Sequence, residues 1–123
     1  MKGIIILGHG SRNKDSIAEQ NQVIPMIQEM LPDYTVRNAF FQLCEPKFED
    51  ILNEMIQDGF QDITVMPLLL FAGVHVQTDI PELIQEYRSQ YPDISFALTK
   101  HIGAHKKIAE IAVERIVDGD IDA

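Results

Sequence analysis

Apolar residues fall in four short runs along the chain, and between the runs they recur at helical spacing among polar ones. "GIIILG" (Gly3 to Gly8) is β-branched and ends in Gly, Ser and Asn signals, which reads as a buried strand. From Lys14 to Leu31, Ile17, Ala18, Ile24, Ile27, Met30 and Leu31 share a stripe opposite Glu19, Gln20, Gln28 and Glu29. This helix stops at Pro32, and Pro25 inside it is expected to kink or divide it. "YTVRNAFFQL" (Tyr34 to Leu43) predicts a second strand, and Glu45 to Gly59 a second helix with Pro46 near its start. "DITVMPLLL" is the third strand, and "DIPELIQEYRSQY" a third helix with Asp79 as N-cap and Pro81 in its first turn. "ISFALT" and the helix His105 to Ile116 complete four strand-helix units. Short connections between such units predict one domain over residues 1–123, α/β and doubly wound, its mainly parallel four-stranded sheet flanked by helices on both faces.

Charge and composition narrow the functions this fold can carry. A formal net charge of -9 excludes a broad basic surface, so nucleic acid is not an expected partner. No apolar run approaches membrane-spanning length, and the first residues pass into a strand pattern without a leader, so the expected setting is cytoplasmic. Cys44 is the single cysteine and is expected to be a small core residue.

In open parallel sheets, ligands bind beyond the carboxyl ends of the strands. Two histidines fall there: His9 in "GHGSRN" after strand one, and His75 in "FAGVHVQTDIP" after strand three. Loops after these strands are neighbours in many doubly wound sheets, so the two imidazoles can converge. Paired imidazoles bind a borderline divalent cation and can also accept a proton near neutral pH. Glycines flank both, and the amides of Gly10, Ser11 and Arg12, near the start of helix one, can donate to an anion that the overall charge repels.

Other readings of these residues stand beside this one. Each histidine taken alone reads as a polar loop residue. "GHGS" lacks the lysine and spacing of a P-loop and the third glycine of a dinucleotide fingerprint. Ser11 is outside any G-x-S-x-G elbow, which disfavours hydrolysis. His101 and His105 are four apart, but Gly103 between them favours loop and helix-start roles over a metal pair. Glu110 and Glu114 read as a solvated face with Lys106 and Lys107.

"LGHGSR", "EP" at Glu45 and Pro46, "GFQDITVMPLLLFAGVHVQTDIP" and "HIGAHKKIAEI", in that order over nearly the whole chain, resemble the small sirohydrochlorin chelatases of the class II tetrapyrrole chelatase group. The resemblance implies ATP-independent insertion of a divalent metal into sirohydrochlorin, on routes to cobalamin, sirohaem or the nickel tetrapyrrole F430. Cobalt is the first choice and nickel or iron the alternatives, with no cofactor beyond that substrate metal ion. It also implies that the chain equals one half of the two-domain relatives and works as a homodimer with the site between subunits. Carried over, His9 matches the histidine that binds metal and accepts a proton, and His75 the second metal-binding histidine. Leu70, Phe71, Ala72, Gly73 and Val74 match the loop against the macrocycle, and Glu45 a substrate contact. Many relatives have glutamate at the position of Gln42, and glutamine cannot take up a proton. A non-catalytic tetrapyrrole or metal carrier is the alternative function, and a purely structural α/β subunit is a weaker one.

Overall fold

The computed structural model describes residues 1–73 and 78–119. Its elements alternate: β1 (Lys2–Gly8), α1 (Lys14–Met30), β2 (Thr35–Phe40), α2 (Phe48–Gln57), β3 (Asp62–Pro67), α3 (Ile80–Gln90), β4 (Ser95–Leu98) and α4 (Lys106–Asp118). The strands form one parallel sheet in the order β2-β1-β3-β4. The α/β doubly wound reading from the hydrophobic pattern is thus observed. Because the chain leaves β1 toward β2 and later returns on the other side of β1 as β3, the direction of winding reverses between β1 and β3. That reversal opens a crevice at the carboxyl ends of these two strands.

Register follows from burial. β1 is buried along Gly3–Gly8, as a central parallel strand covered on both faces must be. Ile5 and Leu7 point into the larger core with Leu52, Met55, Ile63, Val65, Ile80, Ile84 and Phe96, beneath α2 and α3. Ile4 and Ile6 point the other way, joining Val36 under Ile24 and Ile27 of α1. This second core is much thinner. Neither α1 nor α4 contains a buried residue, and α4 exposes Ile111, Val113, Ile116 and Val117.

The differences from the sequence reading have local causes. Pro25 does not divide α1, which runs unbroken through it; the proline is exposed, so the carbonyl of Asn21 that loses its helical partner lies on the solvent side. β2 and β3 stop at Phe40 and Pro67, several residues early, because the chain turns there into the loops of the crevice. α2 begins only at Phe48, after Pro46. Asp79 stands at the N-cap position of α3 but in helical conformation, and its side chain makes no capping bond. Cys44 is half-buried in the β2–α2 loop, outside both cores.

Within the larger core, the hydroxyl of Tyr87 donates to Asn53 Oδ1 at 3.3 Å, and its ring meets Phe96 edge-on. Burial, reinforced by the negative charge of Glu49, pushes the Tyr87 hydroxyl above its ordinary ionisation range.

Candidate functional site

The end of β1 is stitched to the chain on both sides. Toward β2, the amide of Phe41 donates to the Gly8 carbonyl at 2.8 Å and that of Gln42 to the His9 carbonyl at 3.1 Å. Toward β3, the Leu68 amide donates to the Leu7 carbonyl at 2.8 Å. These main-chain bonds tie the two residues after β2 to the end of β1 and set Gln42 beside His9. Main-chain bonds place the pair, so its geometry does not depend on flexible side chains alone.

His9 is exposed at this rim. Its Nε2 lies 3.2 Å from Gln42 Nε2, and its Nδ1 lies 3.4 Å from the carbonyl oxygen of Gly10. Gly10 has φ 102°, a left-handed conformation that a side chain strains. A β-carbon there would also overlap the Gln42 carbonyl oxygen. The tight approach of the His9 turn to the Gln42 turn therefore requires glycine.

Behind this rim, the Gln20 amide donates to the Ala39 carbonyl at 3.2 Å and to the side chain of Asn38, which in turn donates to Asn21. The oxygen of the Gln20 carboxamide packs against Gly8, where a β-carbon would collide with it. Gln20 thus supports the main chain just before His9 from the α1 side.

Gly10, Ser11 and Arg12, the candidate anion donors, lie just ahead of α1. Helix α1 opens at Lys14 with Asn13 as its N-cap, so these residues precede the helix. Asn13 Oδ1 accepts from the Asp15 amide at 2.8 Å, and Ser11 Oγ accepts from the Asn13 amide at 3.0 Å. Ser11 shapes this turn. Arg12 is exposed.

Leu70, Phe71, Ala72 and Gly73 lie exposed on the loop after β3, with Phe71 68% exposed. The carbonyls of Leu69 and Leu70 accept from the amides of Ile102 and Gly103, which anchors this loop to the β4–α4 connection. Val74 and His75 lie outside the described residues. Glu45 is exposed and precedes Pro46 through a cis peptide bond. Described residues therefore bring His9, Gly10 and Gln42 together; Glu45 belongs to the same β2–α2 loop as Gln42.

His101 and His105 do not form a helical metal pair. His105 is the N-cap of α4, and its Nδ1 accepts from the Lys107 amide at 3.0 Å. Among the described residues no group of three or more His, Cys, Asp or Glu could hold a metal ion.

A cavity of about 370 Å³ between the first turns of α2 and α3 was not foreseen. Phe41, Phe48 and Leu83 line it together with Lys47, Glu49, Asp50, Asp79, Glu82 and Glu86. The acidic spacing Asp79, Glu82, Glu86 is visible in the sequence as one helical face, but only the packing of α3 beside α2 turns it into a wall.

A parallel sheet of this order, with a histidine at the carboxyl end of an inner strand, defines an open α/β protein with that histidine at its switch point. Solved structures share this fold: SirB from Bacillus subtilis with Fe3+ matches at TM-score 0.86 and 29% identity, covering 99% of this chain and 49% of that one. A putative cobalamin biosynthesis CbiX protein from Marinobacter aquaeolei matches at TM-score 0.76 and 25% identity over 96% and 95%. The CbiX family model matches residues 3–119, and the chain belongs to that family. Among curated relatives, the chloroplastic sirohydrochlorin ferrochelatase of Arabidopsis thaliana is 32% identical over 98% of this chain and 56% of its own length. The sirohydrochlorin cobaltochelatase of Methanopyrus kandleri is 27% identical over 94% and 95%. The chain thus spans about half the length of some relatives and nearly the whole of others.

Proposed function

We propose that the protein inserts a divalent metal into sirohydrochlorin, without ATP, using His9 and His75 as metal ligands and His9 as a proton acceptor. The observation that carries this reading is His9 itself: exposed at the switch point, with Nδ1 beside the Gly10 carbonyl and Nε2 beside the Gln42 carboxamide. A metal-binding histidine is built this way, one nitrogen anchored to a carbonyl and the other offered to the ion. The relatives named as sirohydrochlorin ferrochelatases and cobaltochelatases support the substrate class.

Insertion needs a partly desolvated metal beside the ring, an acceptor for the pyrrole-type protons and a surface for the macrocycle. His9 and His75 hold the metal weakly, with coordination positions left open, and surrender it as the ring's nitrogens take over. Leu70, Phe71, Ala72, Gly73 and Val74 lie against the macrocycle, with Phe71 on its face. Arg12, Ser11, Gly10, Gln42 and Glu45 meet its rim. Because the protein carries a net charge of -9, local donors such as Arg12 must offset a field that repels the substrate's carboxylates. Cobalt is the metal we assign first, ahead of nickel and iron, and the setting we assign is cytoplasmic. Among the described residues no helix is long and apolar enough to cross a membrane.

The working form is a homodimer, residues 1–123 forming one chelatase domain with the site shared between copies. Two observations support this: α4 exposes Ile116 by 75% and Val117 by 78%, and the chain matches only about half of several relatives. Sedimentation of the wild type and of Ile116→Asp tests it; a wild type that sediments as a monomer at micromolar concentration overturns it.

The function is tested by following sirohydrochlorin absorbance anaerobically with Co²⁺, Ni²⁺ or Fe²⁺, against metal-only controls. Acceleration that is lost in His9→Ala and in His75→Ala supports the proposal. Binding of the tetrapyrrole with no acceleration instead supports a carrier, the reading favoured by the absence of a titratable group at Gln42.

A further inference from the structure

We infer that Gln42 decides which ring nitrogen of His9 carries the proton, and so which nitrogen is offered to metal; this rests on the reading of His9 as a metal ligand. An amide nitrogen carries two hydrogens and no available lone pair, so Gln42 Nε2, 3.2 Å from His9 Nε2, can only donate to it. The receiving nitrogen must then be bare. On the opposite side of the ring, Nδ1 faces the Gly10 carbonyl oxygen at 3.4 Å, and a carbonyl only accepts, so Nδ1 carries the hydrogen. The two contacts make opposite demands on the ring and agree on one tautomer.

Turning the carboxamide over would break both conditions. Its oxygen would require the hydrogen on Nε2, leaving an unprotonated Nδ1 against the lone pairs of the Gly10 carbonyl. Gln42 is also fixed by its main chain, since its amide donates to the His9 carbonyl at 3.1 Å and its carbonyl occupies the space above Gly10. The two residues are therefore held as a unit at their backbones, and the side-chain contact follows.

The consequence is a placeholder. The Gln42 N–H occupies the Nε2 lone pair until an ion displaces it, and rotation of the carboxamide then brings its neutral oxygen beside the ion. A carboxylate in this place would act in the opposite sense. It only accepts, so it requires a hydrogen on Nε2, and it adds a negative charge that holds a divalent cation more firmly. Gln42 thus makes His9 a ready but loose ligand, positioning the imidazole without taking part in proton transfer.

The test is long-range ¹H–¹⁵N NMR of the ¹⁵N-histidine-labelled protein at about pH 8.5, well above the ordinary imidazole pKa of about 6.5, with His9 assigned by its absence in His9→Ala. The wild type is expected to show protonated Nδ1 and bare Nε2. Gln42→Met, of similar length but without a donor, is expected to release the ring to an average of both tautomers. Gln42→Glu is expected to move the hydrogen to Nε2 and, in a parallel titration, to bind Co²⁺ about tenfold more tightly, about 1.4 kcal/mol. A wild-type His9 protonated on Nε2, or a Gln42→Met spectrum unchanged from wild type, overturns the inference. If His9→Ala binds Co²⁺ as the wild type does, the metal-ligand reading fails while the tautomer result stands, so the two failures are separable.

Discussion

The carbonyl oxygen of Gln42 lies where a β-carbon on Gly10 would have to be. Gly10 also holds φ 102°, so Gly10→Ala meets both a backbone penalty of about 1–3 kcal/mol and a steric conflict with main chain. We expect the variant to melt lower and to lose most activity, because the His9 turn must move away from Gln42. A thermal melt and a turnover assay check this; wild-type values of both in Gly10→Ala would show that the close approach is not needed.

Gly8 differs from Gly10 in what it meets. A β-carbon there collides with the Gln20 side chain, which can swing away, but only by giving up its bonds to Ala39 and Asn38. Gly8→Ala and Gln20→Ala should therefore both cost roughly 1 kcal/mol through lost hydrogen bonding. Combined, they should cost less than their sum, because removing Gln20 makes room for the methyl group. A double-mutant cycle in urea measures the coupling, and strict additivity would refute the support role.

Metal binding by His9 is expected to be separable from folding. The side chain is exposed and outside both cores, so His9→Ala should change stability by less than about 0.5 kcal/mol. Insertion should nevertheless fall at least a hundredfold. Denaturant titration alongside the absorbance assay distinguishes a lost ligand from a lost fold.

The core prediction concerns Leu52, fully buried under the sheet on the α2–α3 side. Leu52→Ala should destabilise by about 2–5 kcal/mol. Arg37, which pairs with Asp58 at 3.1 Å and Glu54 at 3.6 Å near the surface, is expected to contribute at most about 1 kcal/mol. Comparing Leu52→Ala with Arg37→Ala by chemical denaturation tests this ranking of burial over surface pairing.

Alkaline titration reports on Tyr87. Its hydroxyl ionises above the ordinary value of 10.0, first because it is buried and then because Glu49 is near. The folded state therefore holds this proton more tightly than the unfolded state does. The resulting stability is fully present below the unfolded value and is lost as pH rises through the folded one. Tyrosinate absorbance should show a late alkaline step that Tyr87→Phe removes.

Much of this molecule was legible in its pattern of residues. Four apolar runs alternating with helical stripes specify the parallel sheet, because a strand covered on both faces must be apolar throughout, as Ile4 to Leu7 are. The same alternation puts His9 at a strand end, where a doubly wound sheet has its crevice. Ends of elements were less legible. Phe41, Gln42 and Leu68 continue the apolar or strand-like composition, yet they leave the strands because the crevice loops turn there. The left-handed φ of 71° at Leu43 has no sequence signal of the kind a glycine supplies.

What the tertiary structure alone decided is proximity. Nothing local in "FFQLCE" says that the Gln42 amide faces the ring of His9; that follows from the parallel register of β1 with β2 and from the main-chain bonds that join the two segments just beyond it. The Gln20 brace and the acidic cavity have the same origin, since each joins side chains from different elements. The hydrophobic period of a chain determines which faces are buried, because burial depends on one residue at a time. Contacts between residues far apart in sequence depend on strand order and register, which exist only once the sheet has assembled.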